Sequence, residues 1–267
     1  MPFIELPNSP HAPGIRPVEI HYRDVGSGRP LVFLHGGWGY GGYPITRQIE
    51  AFAGQVRFII PDRSGHGRST RFPGEMPADF HQHAAEETLL VLDALRIEQA
   101  IFWVHSDGAV IAAKIGLSAP KRCERLLLEA FHFNPSKPNS RNFFQQFALH
   151  PDQVKEKMQK LLIADHGEEQ WKNVVRRNCR VWLELAAQSH RPDHDLFDGR
   201  LSELKVPVTF MHGRGDPRTE HGEMDRALKV LPAAGMRFIE AGRHSPHSEG
   251  NSWHECNTIL TEFLARK

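Results

Sequence analysis

The residues best placed to do chemistry lie in the run Ile101-Phe102-Trp103-Val104-His105-Ser106-Asp107-Gly108-Ala109-Val110, where an apolar stretch meets a serine and turns into a helix-like segment. This pattern predicts a nucleophile elbow, a tight strand-to-helix turn that holds the serine hydroxyl in the open with neighbouring amides facing the same space. Such a turn needs small residues two before and two after the serine. Gly108 meets the requirement and Val104 does not. The same serine could serve an ordinary turn as a helix cap. An unassisted serine hydroxyl is a poor nucleophile near neutral pH, so the reading requires an imidazole to take its proton and a carboxylate to orient that imidazole.

Both partners occur further along the chain, each just past an apolar run. Val206 to Met211 leads into His212-Gly213-Arg214-Gly215-Asp216-Pro217, and Met236 to Glu240 leads into Ala241-Gly242-Arg243-His244-Ser245-Pro246-His247. The order Ser106, Asp216, His244 is that of a hydrolytic triad. Glu129, also at a strand end, is the alternative acid, and His247 is the alternative base. For the oxyanion, glycines in His35-Gly36-Gly37-Trp38-Gly39 allow a bare backbone to approach a substrate. The amide of Gly37 is expected to pair there with that of Asp107. Trp38, His105, Asp107, Phe131 and His247 are expected to contact substrate. The Asp107 carboxylate has two open readings, a receptor for a substrate α-amino group or a cap on the following helix. None of this chemistry requires a metal or organic cofactor.

These residues need a scaffold that brings strand ends together. Residues 18–23, 31–34, 58–60, 126–128, 206–211 and 236–240 read as strands, the central ones as continuous apolar runs of the doubly buried parallel type. Residues 79–97 read as an amphipathic helix with Leu89, Leu90, Leu92 and Leu95 toward the core, and 108–118 as the helix after the elbow. From His132 to Leu201, about seventy residues, strand signal is absent and helical stretches such as 151–165 and 168–189 take over, far beyond an ordinary connection. The expected organisation is therefore an α/β core of 1–131 and 202–267 with 132–201 inserted as a helical cap over the site. Phe131, Phe133, Phe143, Phe144, Phe147, Trp171 and Trp182 are its candidate pocket aromatics, of which two or three are expected to touch substrate.

Composition agrees with one globular enzyme of 267 residues. Lys and Arg number 33 against 32 Asp and Glu, without charge blocks, so neither nucleic acid nor an anionic membrane is an expected partner. A small-molecule substrate is. The chain is compatible with a monomer or a homodimer. Three widely spaced cysteines, Cys123, Cys179 and Cys256, fit a reducing cytoplasm better than a disulfide framework. No apolar run near the N-terminus resembles a secretory signal. The close histidine sets, His81/His83, His190/His194 and His244/His247, lack partners at metal-site spacing.

Taken together, His35 to Gly39, Asp62-Arg63-Ser64-Gly65-His66-Gly67-Arg68-Ser69, the Ser106 turn, His212 to Pro217 and Gly242 to His247 resemble the serine hydrolases of the α/β-hydrolase superfamily from about residue 18 onward. The elbow, the acid turn and the base loop are most similar to the valacyclovir hydrolase (biphenyl hydrolase-like) branch. The resemblance implies an α/β-hydrolase fold, with a mostly parallel sheet and helices on both faces, and an esterase activity that extends to amino-acid esters. It gives the Asp62 loop a structural role. Val104 and Ala109 stand where that branch has glycine. C–C, lactone and amide hydrolysis use the same triad, and Val104 alone argues for a non-catalytic ligand-binding homologue of the same fold. An aspartate nucleophile at Asp107 would put His105 where a small residue is needed.

Overall fold

A computed structural model describes residues 2–71, 73–189 and 194–266. His190 therefore lies outside the described residues. The strands are β1 (Phe3–Leu6), β2 (Val18–Gly26), β3 (Arg29–Leu34), β4 (Val56–Pro61), β5 (Ala100–His105), β6 (Cys123–Glu129), β7 (Val208–Gly213) and β8 (Gly235–Ile239). They form one sheet in the order β1-β2-β4-β3-β5-β6-β7-β8, antiparallel at β1-β2 and β2-β4 and parallel from β4 to β8. Strand β1 was not expected from sequence. It pairs only with β2, and an edge strand of four residues carries little apolar signal.

The central strands are buried on both faces, and alternate residues face opposite ways. Phe33, Phe58, Ile60, Trp103, Leu127 and Met211 form one cluster with α1 (Thr46–Phe52) and α8 (Trp253–Ala265). Val32, Leu34, Ile59, Phe102, Val104 and Leu128 belong to the cluster that includes α2 (Phe80–Ala94), α3 (Asp107–Ser118) and α7 (Glu223–Val230). The buried face of α2 differs from the expected leucine stripe. Leu92 is buried, but Leu89, Leu90 and Leu95 are only partly covered, and Ala84, Ala85, Thr88 and Val91 take the interior. Small side chains let α2 lie close to its neighbours, and the interior Glu87 is satisfied by Ser9 Oγ at 2.5 Å and the Ser64 amide at 2.8 Å.

Between β6 and β7 the described residues hold α4 (Arg141–Leu149), α5 (Glu156–His166) and α6 (Trp171–Gln188), with 3-10 turns at Pro138–Ser140, Pro151–Gln153 and Arg200–Glu203. Helix α4 had no counterpart in the sequence reading, and α5 starts later than expected because Pro151–Gln153 forms a separate turn. The segment leaving β6 is pinned to α7 by Glu223, which accepts from the amides of Phe133 and Asn134 and pairs with the buried Lys137 ammonium. Among the described residues no helix is long and apolar enough to cross a membrane.

Candidate active site

The loops after β3, β5, β7 and β8 meet at the carboxyl ends of the parallel strands, where open α/β sheets leave a crevice. Ser106, between β5 and α3, has φ 57° and ψ −119°, the strained backbone of a nucleophile elbow. Gly108 makes that turn possible. A Cβ there would lie 2.3 Å from the Leu34 carbonyl oxygen, closer than any side chain tolerates. Val104 is accommodated: its side chain is fully buried in the cluster on the α3 face, and Ser106 keeps the elbow backbone.

His244 Nε2 lies 3.1 Å from Ser106 Oγ, and His244 Nδ1 lies 3.0 Å from both carboxylate oxygens of Asp216. Since Nδ1–H donates to Asp216, Nε2 carries the lone pair that accepts the serine proton. Burial works against the Asp216 carboxylate. The charge and hydrogen bond of His244, His212 nearby and the Arg218 amide overcome it and hold that carboxyl well below the usual range. A proton can thus pass from Ser106 to an imidazole whose cationic form faces a permanent anion.

Glu129 and His247 lie apart from that chain. Glu129 Oε1 accepts from His247 Nδ1 at 2.7 Å and Oε2 from Trp103 Nε1 at 3.1 Å, while His247 Nε2 lies 3.0 Å from the Tyr43 carbonyl. Both ring nitrogens of His247 face acceptors that cannot donate, which requires the doubly protonated cation. Burial disfavours that cation, but Glu129 outweighs burial and raises the imidazole above its ordinary value. The pair is fully enclosed, so His247 buttresses the base loop and does not line the cavity. Phe131 is corrected in the same way: it is buried, stacked on Phe197 at 5.5 Å and tilted against Phe210 at 5.0 Å.

Beside Ser106 opens a cavity of about 340 Å³, reached by Gly37, Trp38, His105 and Asp107 from the strand-end loops. Of the seven candidate aromatics, Phe143, Phe144, Phe147 and Trp182 line it, whereas Phe131, Phe133 and Trp171 pack in the core. Trp38 stacks on Phe143 at 5.4 Å and meets Phe147 edge-on at 5.5 Å. His105 sits behind, its Nε2 3.0 Å from the His244 carbonyl and 2.9 Å from Ser245 Oγ, tying the elbow to the base loop. Burial, then His244 and His247, lower its pKa to about 3, so His105 stays neutral.

The loop after β3 is held from below. The buried Arg63 guanidinium donates to the carbonyls of His35 and Gly36, the latter at 3.0 Å, and His66 Nε2 to that of Gly37 at 3.1 Å. With these carbonyls bound into the core, the Gly37 amide has no acceptor among the described residues. The Asp107 amide opens α3, where helical amides have no intrahelical partner. A Cβ on Gly37 would fall 2.1 Å from Asn178 Nδ2, so a larger residue there would displace the Asn178 side chain of α6.

Sequence reasoning missed several residues. The Asp107 carboxylate is enclosed: Asn178 Nδ2 donates at 2.7 Å, Trp182 Nε1 at 3.0 Å, and His81 Nε2 stands 3.4 Å away. Burial raises its pKa, but these donors and Arg63 outweigh burial and keep it ionised. His132, three residues past the end of β6, brings Nε2 to 3.3 Å from Ser106 Oγ. If the Ser106 hydroxyl donates to His244 Nε2, His132 is the donor to Ser106 Oγ. Its Nδ1 then has no partner among the described residues. Burial, Lys137 and His244 push its pKa far down and keep it neutral. Its position after a strand end was the one available signal. Nothing in the local pattern around Asn178 distinguishes it on α6.

Residues 31–256 match the alpha/beta hydrolase family. The chain belongs to that family. Over 251 residues it is 23% identical to the serine hydrolase BPHL of Mus musculus, covering 92% of this chain and 83% of that one. It is 35% identical to the non-heme chloroperoxidase CPO-A1 of Kitasatospora aureofaciens over 285 residues, covering 92% and 96%. A thermophilic esterase from Thermogutta terrifontis superposes with a TM-score of 0.74 at 18% identity, over 99% of this chain and 98% of that one. The central sheet with its flanking helices is thus the alpha/beta hydrolase fold.

Proposed function

We propose that the protein is a serine hydrolase that cleaves a small carboxylic ester through an acyl-enzyme. The observation that carries this reading is the continuous contact from Ser106 through His244 to Asp216 beside an aromatic cavity. Ser106 attacks the ester carbonyl as His244 takes its proton. The amides of Gly37 and Asp107 receive the oxyanion, and His244 returns the proton to the departing alkoxide. Water activated by the same imidazole then releases the acid. Helices α4 to α6 act as a cap that supplies the aromatic wall. The similarity to a serine hydrolase and an esterase supports this chemistry. A preference for α-amino esters loses its support, because the Asp107 carboxylate already has donors from α6 and α2.

A fluorophosphonate probe tests the reading. Covalent labelling of the wild type and none of Ser106→Ala, with p-nitrophenyl ester hydrolysis lost in parallel, is the expected result. Labelling elsewhere, or hydrolysis by a folded Ser106→Ala at a tenth or more of wild type, would overturn it.

A further inference from the structure

The charges around the cavity are unequally used. Its carboxylates are engaged by the protein: Asp107 by α6 and His81, Asp216 by His244 and the Arg218 amide at 2.8 Å, and Glu249 by the amides of Arg243 and Ser245, both at 3.0 Å. Its cations are not. The half-buried Arg218 lays its guanidinium 3.2 Å from the centroid of Phe143, and among the described residues it forms no ion pair or side-chain hydrogen bond. Lys155 and Arg243, exposed at the same cavity, likewise have no carboxylate within ion-pair distance among the described residues. Three cations elsewhere in the fold do have one: Arg23 is 2.7 Å from Asp62, Arg125 is 2.6 Å from Glu124, and Lys137 meets Glu223.

A guanidinium stacked by its face on an aromatic ring keeps its N–H edges free, and those edges match a carboxylate in bidentate geometry. Burial against the cavity wall also presses the Arg218 pKa downward, so an anion beside it would relieve a desolvated charge. The apolar surface beside it comes from Trp38, Phe147 and Met158.

We propose that the substrate is an ester carrying a free carboxylate on an apolar or aromatic body, received by Arg218, with Lys155 and Arg243 drawing it to the mouth. This inference rests on the serine-hydrolase reading of the same cavity and names its substrate class.

The test compares the methyl ester of 3-(4-carboxyphenyl)propanoic acid with its 4-carboxamide counterpart. Wild type should favour the carboxylate at least tenfold in kcat/KM. Arg218→Gln should bring the ratio to within about twofold of unity, and Arg218→Lys should restore part of it. A wild-type ratio near or below one, or a ratio unchanged in Arg218→Gln, would overturn the proposal, and the wild-type comparison needs no variant to fold. Calorimetry on Ser106→Ala separates the two readings, using the non-hydrolysed 3-(4-carboxyphenyl)propanamide against its 4-carboxamide. Tighter, Arg218-dependent binding of the carboxylate without turnover of either ester would keep the anion site and remove the esterase. Equal turnover of both esters would do the reverse.

Discussion

Asn178 Nδ2 donates a 2.7 Å hydrogen bond to Asp107 Oδ2, joining the residue after the elbow to helix α6 of the insertion. With Trp182 Nε1 at 3.0 Å on the other oxygen, it makes the carboxylate a fastener between the strand-end loop and helix α6. The Asp107→Asn variant should therefore lower kcat/KM for an α-aminoacyl ester and its des-amino isostere by the same factor. Faster amide exchange in α6 should accompany the loss. Removing one partner of a buried charged hydrogen bond costs about 1.5–3 kcal/mol. A selective loss for the amine substrate would return Asp107 to amine recognition.

Asp216→Asn should reduce kcat by about 10⁴, because the orienting acid sets both the tautomer and the charge of the base. Glu129→Gln should spare far more of it, since its carboxylate faces His247 and Trp103. Steady-state kinetics of both variants with one p-nitrophenyl ester decides between them, and a larger loss in Glu129→Gln would reassign the acid.

The enclosed His247–Glu129 pair should make stability depend on pH from both sides. His247 has a raised pKa in the fold, so its contribution is complete below the ordinary histidine value and disappears as pH rises through the raised one. Glu129 is lowered by His247 against the opposing effect of burial, so its share disappears as pH falls through that lowered value. Thermal unfolding should show a plateau between these limits. Glu129→Gln, which leaves a buried cation without its partner, should lower stability by about 3–5 kcal/mol at pH 6. A Tm indifferent to this substitution would contradict the buried ion pair.

His132→Phe should keep the ring packed against Trp182, now 5.0 Å away, while removing the N–H directed at Ser106 Oγ. One neutral hydrogen bond is worth about 1 kcal/mol, so kcat/KM should change by about fivefold, well short of the loss in His244→Ala. A loss equal to that of His244→Ala would make His132 a second proton acceptor.

Gly108→Ala should destabilise the fold by about 1–3 kcal/mol or displace the elbow, because its Cβ would press on the Leu34 carbonyl oxygen. Unfolding in urea and the rate of fluorophosphonate labelling would register the two effects separately. A variant unchanged in both would mean that the elbow tolerates a methyl group at this position.

Ser106, Asp216 and His244 were legible because each follows an apolar strand, and a strand followed by a glycine-rich turn writes itself locally in residue type and order. The parallel core was legible for the same reason: strands buried on both faces are apolar at every position. Periodicity could not reveal β1 or the face of α2, since an edge strand pairs on one side and small residues mark a close helix contact without a leucine stripe. Nor could local pattern say which side of a strand end a side chain leaves from. Phe131 and His132 are adjacent, yet one packs into the core and the other reaches Ser106 Oγ, just past the turn at Ala130, whose φ is 51°. The partners of Asp107 and Glu129 lie 71 and 118 residues away, and the unpaired edge of Arg218 depends on Phe143 from another element. Local sequence determined which groups could react. Long-range packing alone decided which carboxylates were already bound and which cation remained open toward the cavity.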